Sequence, residues 1–347
     1  MKKILVVLLA LVLALSAFSA IAEEEVKEYD IRALIWKYDD TYGSSVRQAM
    51  QETVDEINEE GEIKITFTMY DAADDMAKQV EQATMLVGEK PDFVIINLAE
   101  VASGQQLVDM FTDAGIPFLF YNKEPSEETV QSVIVDSGSI FIGTTPSEAG
   151  VMQGEILADI WAADPSIDLN GDGKLQFVEF EGEPNNPEAI ARTQYSESTA
   201  VEMGVPLEAA LDEYIIVANW DTAQAQEKMT PTWTATEGNI EVVFVNNDDM
   251  GTGVVAAMNA FGYNTGNEGD PSIVVIGVDA TDSALEAIKA GKMTATVKQD
   301  GDAMGYANVA IALNYLQTGS WLEGTDYEYA EDGYSVRIPY AKITEVE

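Results

Sequence analysis

Short apolar runs alternate with longer amphipathic stretches along most of the chain. IRALIWK, KITFTMY, FVIINL, PFLFYN, SIFIGT, QFVEF, EYIIVAN, EVVFVNN, IVVIGVD and TATVK are rich in β-branched and aromatic residues and read as strands. Between them, SSVRQAMQETVDEINEE, ASGQQLVDMFTDAG, SEAGVMQGEILADIW and DSALEAIKAGK carry the three-and-four spacing of an apolar helix face. Repeated β-α alternation of this kind means parallel strands covered by helices on both faces. A chain of 347 residues is too long for one typical core, so the pattern predicts an α/β protein of two doubly wound parallel-sheet lobes. A closed barrel of eight β-α units is the competing architecture.

Doubly wound sheets bind ligands beyond the carboxyl ends of their strands, and the residues found there are polar in a consistent way. Tyr38, Asp39, Asp40, Thr41 and Tyr42 follow the first run, Asn97 ends the third, and Asn122, Lys123 and Glu124 follow the fourth. Asn185, Asn186, Glu188 and Arg192 come after FVEFEGE; Trp220 and Asp221 follow IIVAN; Asn246, Asn247 and Asp248 end FVNND. Asp279 closes IGVD, and Gln299 and Asp300 close ATVKQD. Any one of them is an ordinary helix N-cap or turn residue. Together they combine planar two-ended hydrogen-bonding groups with aromatic faces, the mixture that neighbouring hydroxyls and the C–H patches of a pyranose call for.

Composition narrows the classes. Lys2 and Lys3, an apolar run from Ile4 to Leu15 and the Ser19-Ala20-Ile21-Ala22 end read as a secretory signal over residues 1–22, removed on export to the periplasm. The remainder contains no stretch that approaches a membrane span. With 61 acidic against 18 basic residues, the surface repels phosphate backbones and anionic lipid heads, which argues against nucleic-acid and membrane-surface roles. Cysteine is absent, so an exported chain must do without disulfide staples; histidine is absent too, which excludes Ser-His and Cys-His pairs and His-ligated zinc. Carboxylate-only sugar hydrolysis, with Asp40 and Asp279 as acid and base, remains open as an alternative, as does a calcium-dependent adhesion role.

DLNGDGKLQFVE, residues 168 to 179, fits the calcium-loop pattern D-x-[DN]-x-[DN]-G-x5-E, yet a strand pattern follows where an EF-hand needs a helix. The pattern by itself nominates Glu179 as the closing ligand, although a strand turns that side chain away from a loop curled around positions 168 to 176.

KYDD at 37–40, INL at 96–98, NKEPS at 122–126, DLNGDG at 168–173, GEP at 182–184, ART at 191–193, WDTAQA at 220–225, IEVV at 240–243, NND at 246–248 and GVDA at 277–280 run in one order and spacing. In these residues the chain, from about 28 to 340, resembles the galactose/glucose-binding family among the type I periplasmic binding proteins that feed sugar ABC transporters. The resemblance implies two lobes joined by a three-segment hinge: residues 28–116 and 299–337 in one, 117–298 and 338–347 in the other. It implies a monomer that takes a hexose between its lobes, delivers it to the membrane permease of an ABC transporter and is read by a chemoreceptor as well. Tyr42 and Trp220 would sandwich the sugar ring, and Asp40, Asn97, Arg192, Asn247 and Asp279 would hold its hydroxyls. Four positions depart from the family: Tyr42 replaces a phenylalanine, Asn186 a histidine, Glu188 an aspartate and Gln299 an asparagine, so the identity of the hexose does not carry over. The resemblance also implies a structural Ca2+ held by Asp168, Asn170, Asp172, the Lys174 carbonyl, Gln176 and Glu241, with Glu241 rather than Glu179 closing the site.

Overall fold

The computed structural model describes residues 26–125 and 134–346. The signal segment expected over 1–22 and the last residue of the second lobe lie outside the described residues. Among those described, no helix is long and apolar enough to cross a membrane.

Every run read as a strand from its pattern is one. The first sheet contains β1 (Lys27–Ile35), β2 (Ile63–Asp71), β3 (Phe93–Ile96), β4 (Phe118–Tyr121), β5 (Phe141–Gly143) and β12 (Ser335–Arg337), in the order β12-β5-β4-β3-β1-β2 and parallel throughout. The second runs β13-β11-β10-β9-β6-β7, from β6 (Leu175–Glu181), β7 (Leu207–Ala209), β9 (Val242–Val245), β10 (Val274–Val278), β11 (Ala295–Gln299) and β13 (Tyr340–Ile343). β8 (Ile215–Val217) continues the β6 edge beyond β7, and among the described strands only β13 pairs antiparallel, against β11. β7, β12 and β13 are short edge strands that the pattern did not reveal. A run of three or four residues gives too little alternation to register.

Both faces of each sheet are buried. In the first lobe Ile31, Ile95 and Leu119 pack beneath α1 (Thr41–Glu60) and α9 (Gly301–Thr318), while Leu34, Val94 and Phe120 face α2 (Met76–Glu89) and α3 (Gly104–Ala114). The second lobe repeats the plan. α4 (Pro146–Ala163) and α5 (Pro187–Glu202) cover Phe177 and Phe244; α6 (Thr222–Ala235), α7 (Asp248–Ala260) and α8 (Asp282–Lys289) cover Val178, Val243 and Val275. The helix pair α4–α5 closes on glycine: a Cβ at Gly154 would stand 2.7 Å from the Ser196 carbonyl, so any side chain there would force the helices apart.

Among the described residues the chain crosses between lobes three times, between β5 and α4 (143–146), between β11 and α9 (299–301) and between β12 and β13 (337–340). The last two crossings lie where the hinge was expected. The first does not. β4 and β5, expected in the second lobe, extend the first sheet and belong to the first lobe. The reason is that FLFY and FIG are buried strands needing partners on both sides, and their partners are β3 and β12.

Candidate functional site

The carboxyl ends of strands from both sheets face one another across a cavity with an empty volume of about 430 Å3, its mouth included. Its wall consists of Trp36, Asp40, Tyr42, Asn122 and Lys123 from the first lobe, Asn186, Glu188, Arg192, Trp220, Asn247 and Asp279 from the second, and Gln299 at a crossing. Nine of the ten ligand residues expected from sequence are in that wall; Asn97 is not. Asn97 is buried at the end of β3 with its Oδ1 unpartnered; its carbonyl accepts from Gln79 Nε2 at 2.8 Å and Gln79 Oε1 accepts the Ala99 N–H at 2.8 Å, so α2 ties down the backbone of this loop. Asn122, after the next strand, takes the place instead. Trp36 is the wall residue that the pattern conceals, because it continues the apolar run of β1 without a break.

Several wall residues also start helices. Asp40 Oδ1 accepts the Gly43 N–H as the N-cap of α1, Asn186 Oδ1 accepts Glu188 N–H at 2.9 Å at the start of α5, and Asn247 Oδ1 accepts Met250 N–H at 3.0 Å at the start of α7. Capping and ligand-binding are therefore not alternatives here: each cap spends one side-chain atom, leaving Asp40 Oδ2 and the amide nitrogens of Asn186 and Asn247, which otherwise donate only at 3.4 Å to Glu183 Oε2 and the Trp220 carbonyl. Three helix N-termini thus abut the cleft, which favours groups that carry partial negative charge. The backbone is bent to achieve this. Asn122 (φ 62°), Trp220 (φ 62°) and Asp279 (φ 120°) sit in the left-handed region that non-glycine residues avoid, at a cost of about 1–3 kcal/mol each.

Arg192 is the fixed centre of the second-lobe wall. Nη1 donates to the Asn246 carbonyl at 2.7 Å; Nη2 donates to Gln299 Oε1 and Tyr340 Oη at 2.8 Å each and to Glu188 Oε2 at 3.2 Å. Glu188 also accepts from Thr144 Oγ1 at 2.6 Å and from Tyr340 Oη at 3.0 Å. Burial works to lower the Arg192 pKa, but Tyr340, Glu188 and Asp279 outweigh it and hold the guanidinium above its ordinary value. Glu188 and Gln299, two of the departures from the family, thus brace the arginine as well as lining the cleft.

Burial raises the Asp40 carboxyl and pushes Asp279 well above the carboxylate range; Arg192 draws Asp279 back, and Asp248, Asp40 and Asp249 push it further. No described residue donates a hydrogen bond to the Asp279 carboxylate. The indole N–H groups of Trp36 and Trp220 and Arg192 Nε are likewise buried without a protein partner. A site with this many unspent donors and acceptors is built for a polar ligand.

Trp220 and Trp36 differ in setting. The Trp220 ring lies flat against Gly182, where a Cβ would fall 2.3 Å from its ring atoms, and Arg192 sits 5.7 Å from its centroid. Lys123 Nζ stacks 3.6 Å from the Trp36 centroid and reaches across the cleft to Glu183 at 3.0 and 3.1 Å. Thr41 Oγ1 donates to Asp249 Oδ2 at 2.8 Å and Gln299 Nε2 to Asn122 Oδ1 at 3.3 Å, so contacts from both lobes close the cleft.

The 168–176 loop lies elsewhere in the second lobe, at the opposite end of β6 from the cavity. Asp168 accepts from Gly171 and Gly173 N–H at 2.7 and 2.8 Å, Asn170 Nδ2 donates to Gln176 Oε1 at 2.8 Å, and Gln176 Nε2 donates to Asp172 Oδ2 at 2.9 Å. Glu241, just before β9, accepts the N–H of Gln176 at 2.8 Å and that of Asn170 at 3.4 Å. Burial raises its pKa, with Asp168 and Asp172 adding to the rise against those two N–H groups. Among the described residues no three acidic side chains converge as a ready-made metal cluster. Glu179 is fully buried and turned away from the loop, accepting Ser196 Oγ at 3.1 and 3.2 Å, and burial lifts its pKa well above the usual range.

Comparison with known proteins agrees with this architecture. The family described as "periplasmic binding protein domain" matches residues 33–320. The D-galactose/methyl-galactoside binding periplasmic protein of Haemophilus influenzae is 32% identical over 316 residues, covering 90% of this chain and 88% of that one. An ABC transporter solute binding protein from Bacillus halodurans C-125, solved with bound myo-inositol, is 25% identical with a TM-score of 0.70, over 93% of this chain and 96% of that one. A periplasmic solute binding protein from Actinobacillus succinogenes 130z with bound D-allose reaches a TM-score of 0.73 over 91% and 97% of the two chains; at 20% identity it speaks for the fold alone. Because the family match runs through both lobes and the cleft between them, the chain belongs to the periplasmic binding protein family and has the two-lobed fold of its type I members.

Proposed function

We propose that this protein captures a hexose of the glucose/galactose type between its lobes in the periplasm and delivers it to the permease of a sugar ABC transporter. The observation that carries the reading is the cavity wall: planar amides and carboxylates and an arginine, interleaved with two indoles and a tyrosine, around a volume suited to one ring. The Haemophilus relative, named for galactose, supports it. Asp279, Asp40 Oδ2 and the remaining hydrogen-bonding capacity of the Asn122 and Asn247 amides are what take hydroxyls, while Trp220 offers a face to the ring. The family transports rather than transforms its ligands, and the cleft accordingly serves capture and release rather than sugar hydrolysis.

Ligand-driven closure arises from the charges. Closing an empty cleft buries Asp40 Oδ2 and the Asp279 carboxylate without partners, which is costly; hydroxyls that donate to them remove that cost only in the closed state. Sugar should therefore shrink the radius of gyration in small-angle scattering, and an unchanged radius at saturation would contradict closure. The closed surface, with residues of both lobes brought level, is what a permease or a chemoreceptor would read. A calorimetric panel of aldohexoses, pentoses and cyclitols tests the ligand class: binding of none would overturn the reading, and preference for a pentose or cyclitol would move it within the class.

A structural Ca2+ is part of the same proposal. Asp168, Asp172 and Glu241 with the oxygens of Asn170, Gln176 and the Lys174 carbonyl are the hard oxygen donors this ion takes. Glu241, 2% exposed, repelled by Asp168 and Asp172 and accepting only from the N–H groups of Asn170 and Gln176, supports it. A cation there would relieve the repulsion and tie the loop to β9 in a chain that has no disulfide.

A further inference from the structure

Asp279 carries the most exacting task in the cleft, and its backbone is the least comfortable. It and Ala280 hold consecutive positive φ values of 120° and 58° without being glycine, so something must hold the turn. What holds it is Asp248, the first residue of α7, buried completely beneath the cleft. Its Oδ2 accepts the Thr281 N–H at 2.9 Å and its Oδ1 accepts Thr296 Oγ1 at 2.7 Å. β10 leaves room for it: a Cβ at Gly277 would stand 2.2 Å from Asp248 Oδ1. Asp248 also comes directly after Asn247, so one residue is joined to two groups of the ligand wall.

We propose that Asp248 is a positioning residue for ligand capture, clamping the 279–281 turn so that the unpartnered Asp279 carboxylate stays presented to the cleft. This rests on the reading that the cleft binds a polyhydroxy ligand through Asp279. An N–H and an O–H donor fall on opposite oxygens of one carboxylate, which an amide cannot match: an asparagine would offer one acceptor oxygen and turn its own N–H2 toward the other donor. The clamp has an electrostatic side. Asp279 is faced by Arg192, which favours its ionised form, and by Asp248, Asp40 and Asp249, which disfavour it; Asp248 is faced in turn by Asp249. Burial lifts Asp248 to about 7, against the pull of its Thr296 and Thr281 hydrogen bonds. Affinity that depends on ionised Asp279 is lost as pH falls through its raised pKa, and removing the Asp248 charge shifts that loss to lower pH.

The test is calorimetric titration of the whole protein with D-glucose and D-galactose from pH 5 to 8, for wild type, Asp248→Asn and Thr296→Val. Asp248→Asn should bind at least about tenfold more weakly at neutral pH, with the acid-side loss of affinity moved to lower pH. Thr296→Val removes one donor of the clamp but keeps the charge; it should weaken binding severalfold with the pH midpoint in place, and it serves if Asp248→Asn does not fold. Wild-type affinity in either folded variant, or weakened binding by Asp248→Asn with an unmoved pH midpoint, would overturn the clamp while leaving the sugar reading intact. Failure of the wild type to bind either hexose would overturn that reading and this inference with it.

Discussion

Trp220→Ala should weaken sugar binding by roughly 30-fold or more, about 2 kcal/mol, the scale of a central aromatic contact. The ring is half-buried, backed by Gly182 and sided by Arg192, with its N–H unspent, so its remaining face is contact area for a ligand. A tryptophan whose main role is in the core would instead cost about 3–5 kcal/mol of stability when cut to alanine. The two roles separate experimentally: a binding role predicts a melting temperature near wild type and a large rise in Kd. Gly182→Ala provides an independent check, since its methyl group must displace the ring from behind and should reproduce much of the affinity loss with every wall residue intact. A Trp220→Ala variant that melts far lower but binds normally when folded would show that the ring belongs to the core.

Glu241→Gln should abolish calcium-dependent stabilisation, and Glu179→Gln should preserve it. A ligand at a hundredfold excess over its Kd stabilises the folded state by about 2.7 kcal/mol; a variant whose Kd has risen about a hundredfold keeps only ~0.4 kcal/mol of this at the same concentration. Losing one of three carboxylates, the one set deepest, has that size of effect in a site whose affinity depends on ligand charge. Glu179 is held by Ser196 and pushed by burial toward its neutral form, so glutamine is a near replacement for it. Melting curves with calcium and with chelator decide the matter. Calcium stabilisation that survives in Glu241→Gln and vanishes in Glu179→Gln would mean that the loop closes as an ordinary EF-hand.

The ten main strands and the two-lobe plan were legible because apolar runs such as FVII, FLFY and VVFV leave no polar face, and only a sheet covered on both sides can use them. The polar residues at strand ends were legible as a group for the same reason: once the runs are strands, the residues just after them form the rim. Periodicity carries no further than that. Asn97 and Asn122 both come after buried strands, and nothing local tells them apart; Gln79 of α2, reaching from eighteen residues earlier, holds the backbone of the first, while the second takes a left-handed backbone and lines the cleft. Trp36 hid inside an apolar run because its cleft-side role depends on Lys123 and on the opposite lobe. The first crossing was misplaced for a related reason, since the partner that claims β5 is β12, nearly two hundred residues away. What the sequence determined by itself was therefore local: strand, helix, cap and the kind of chemistry available at each strand end. The tertiary structure alone decided which of those ends meet, how Glu188 and Gln299 brace Arg192, and that Asp248 holds the turn of Asp279, because each depends on atoms brought together from distant parts of the chain, and burial makes those contacts strong enough to matter.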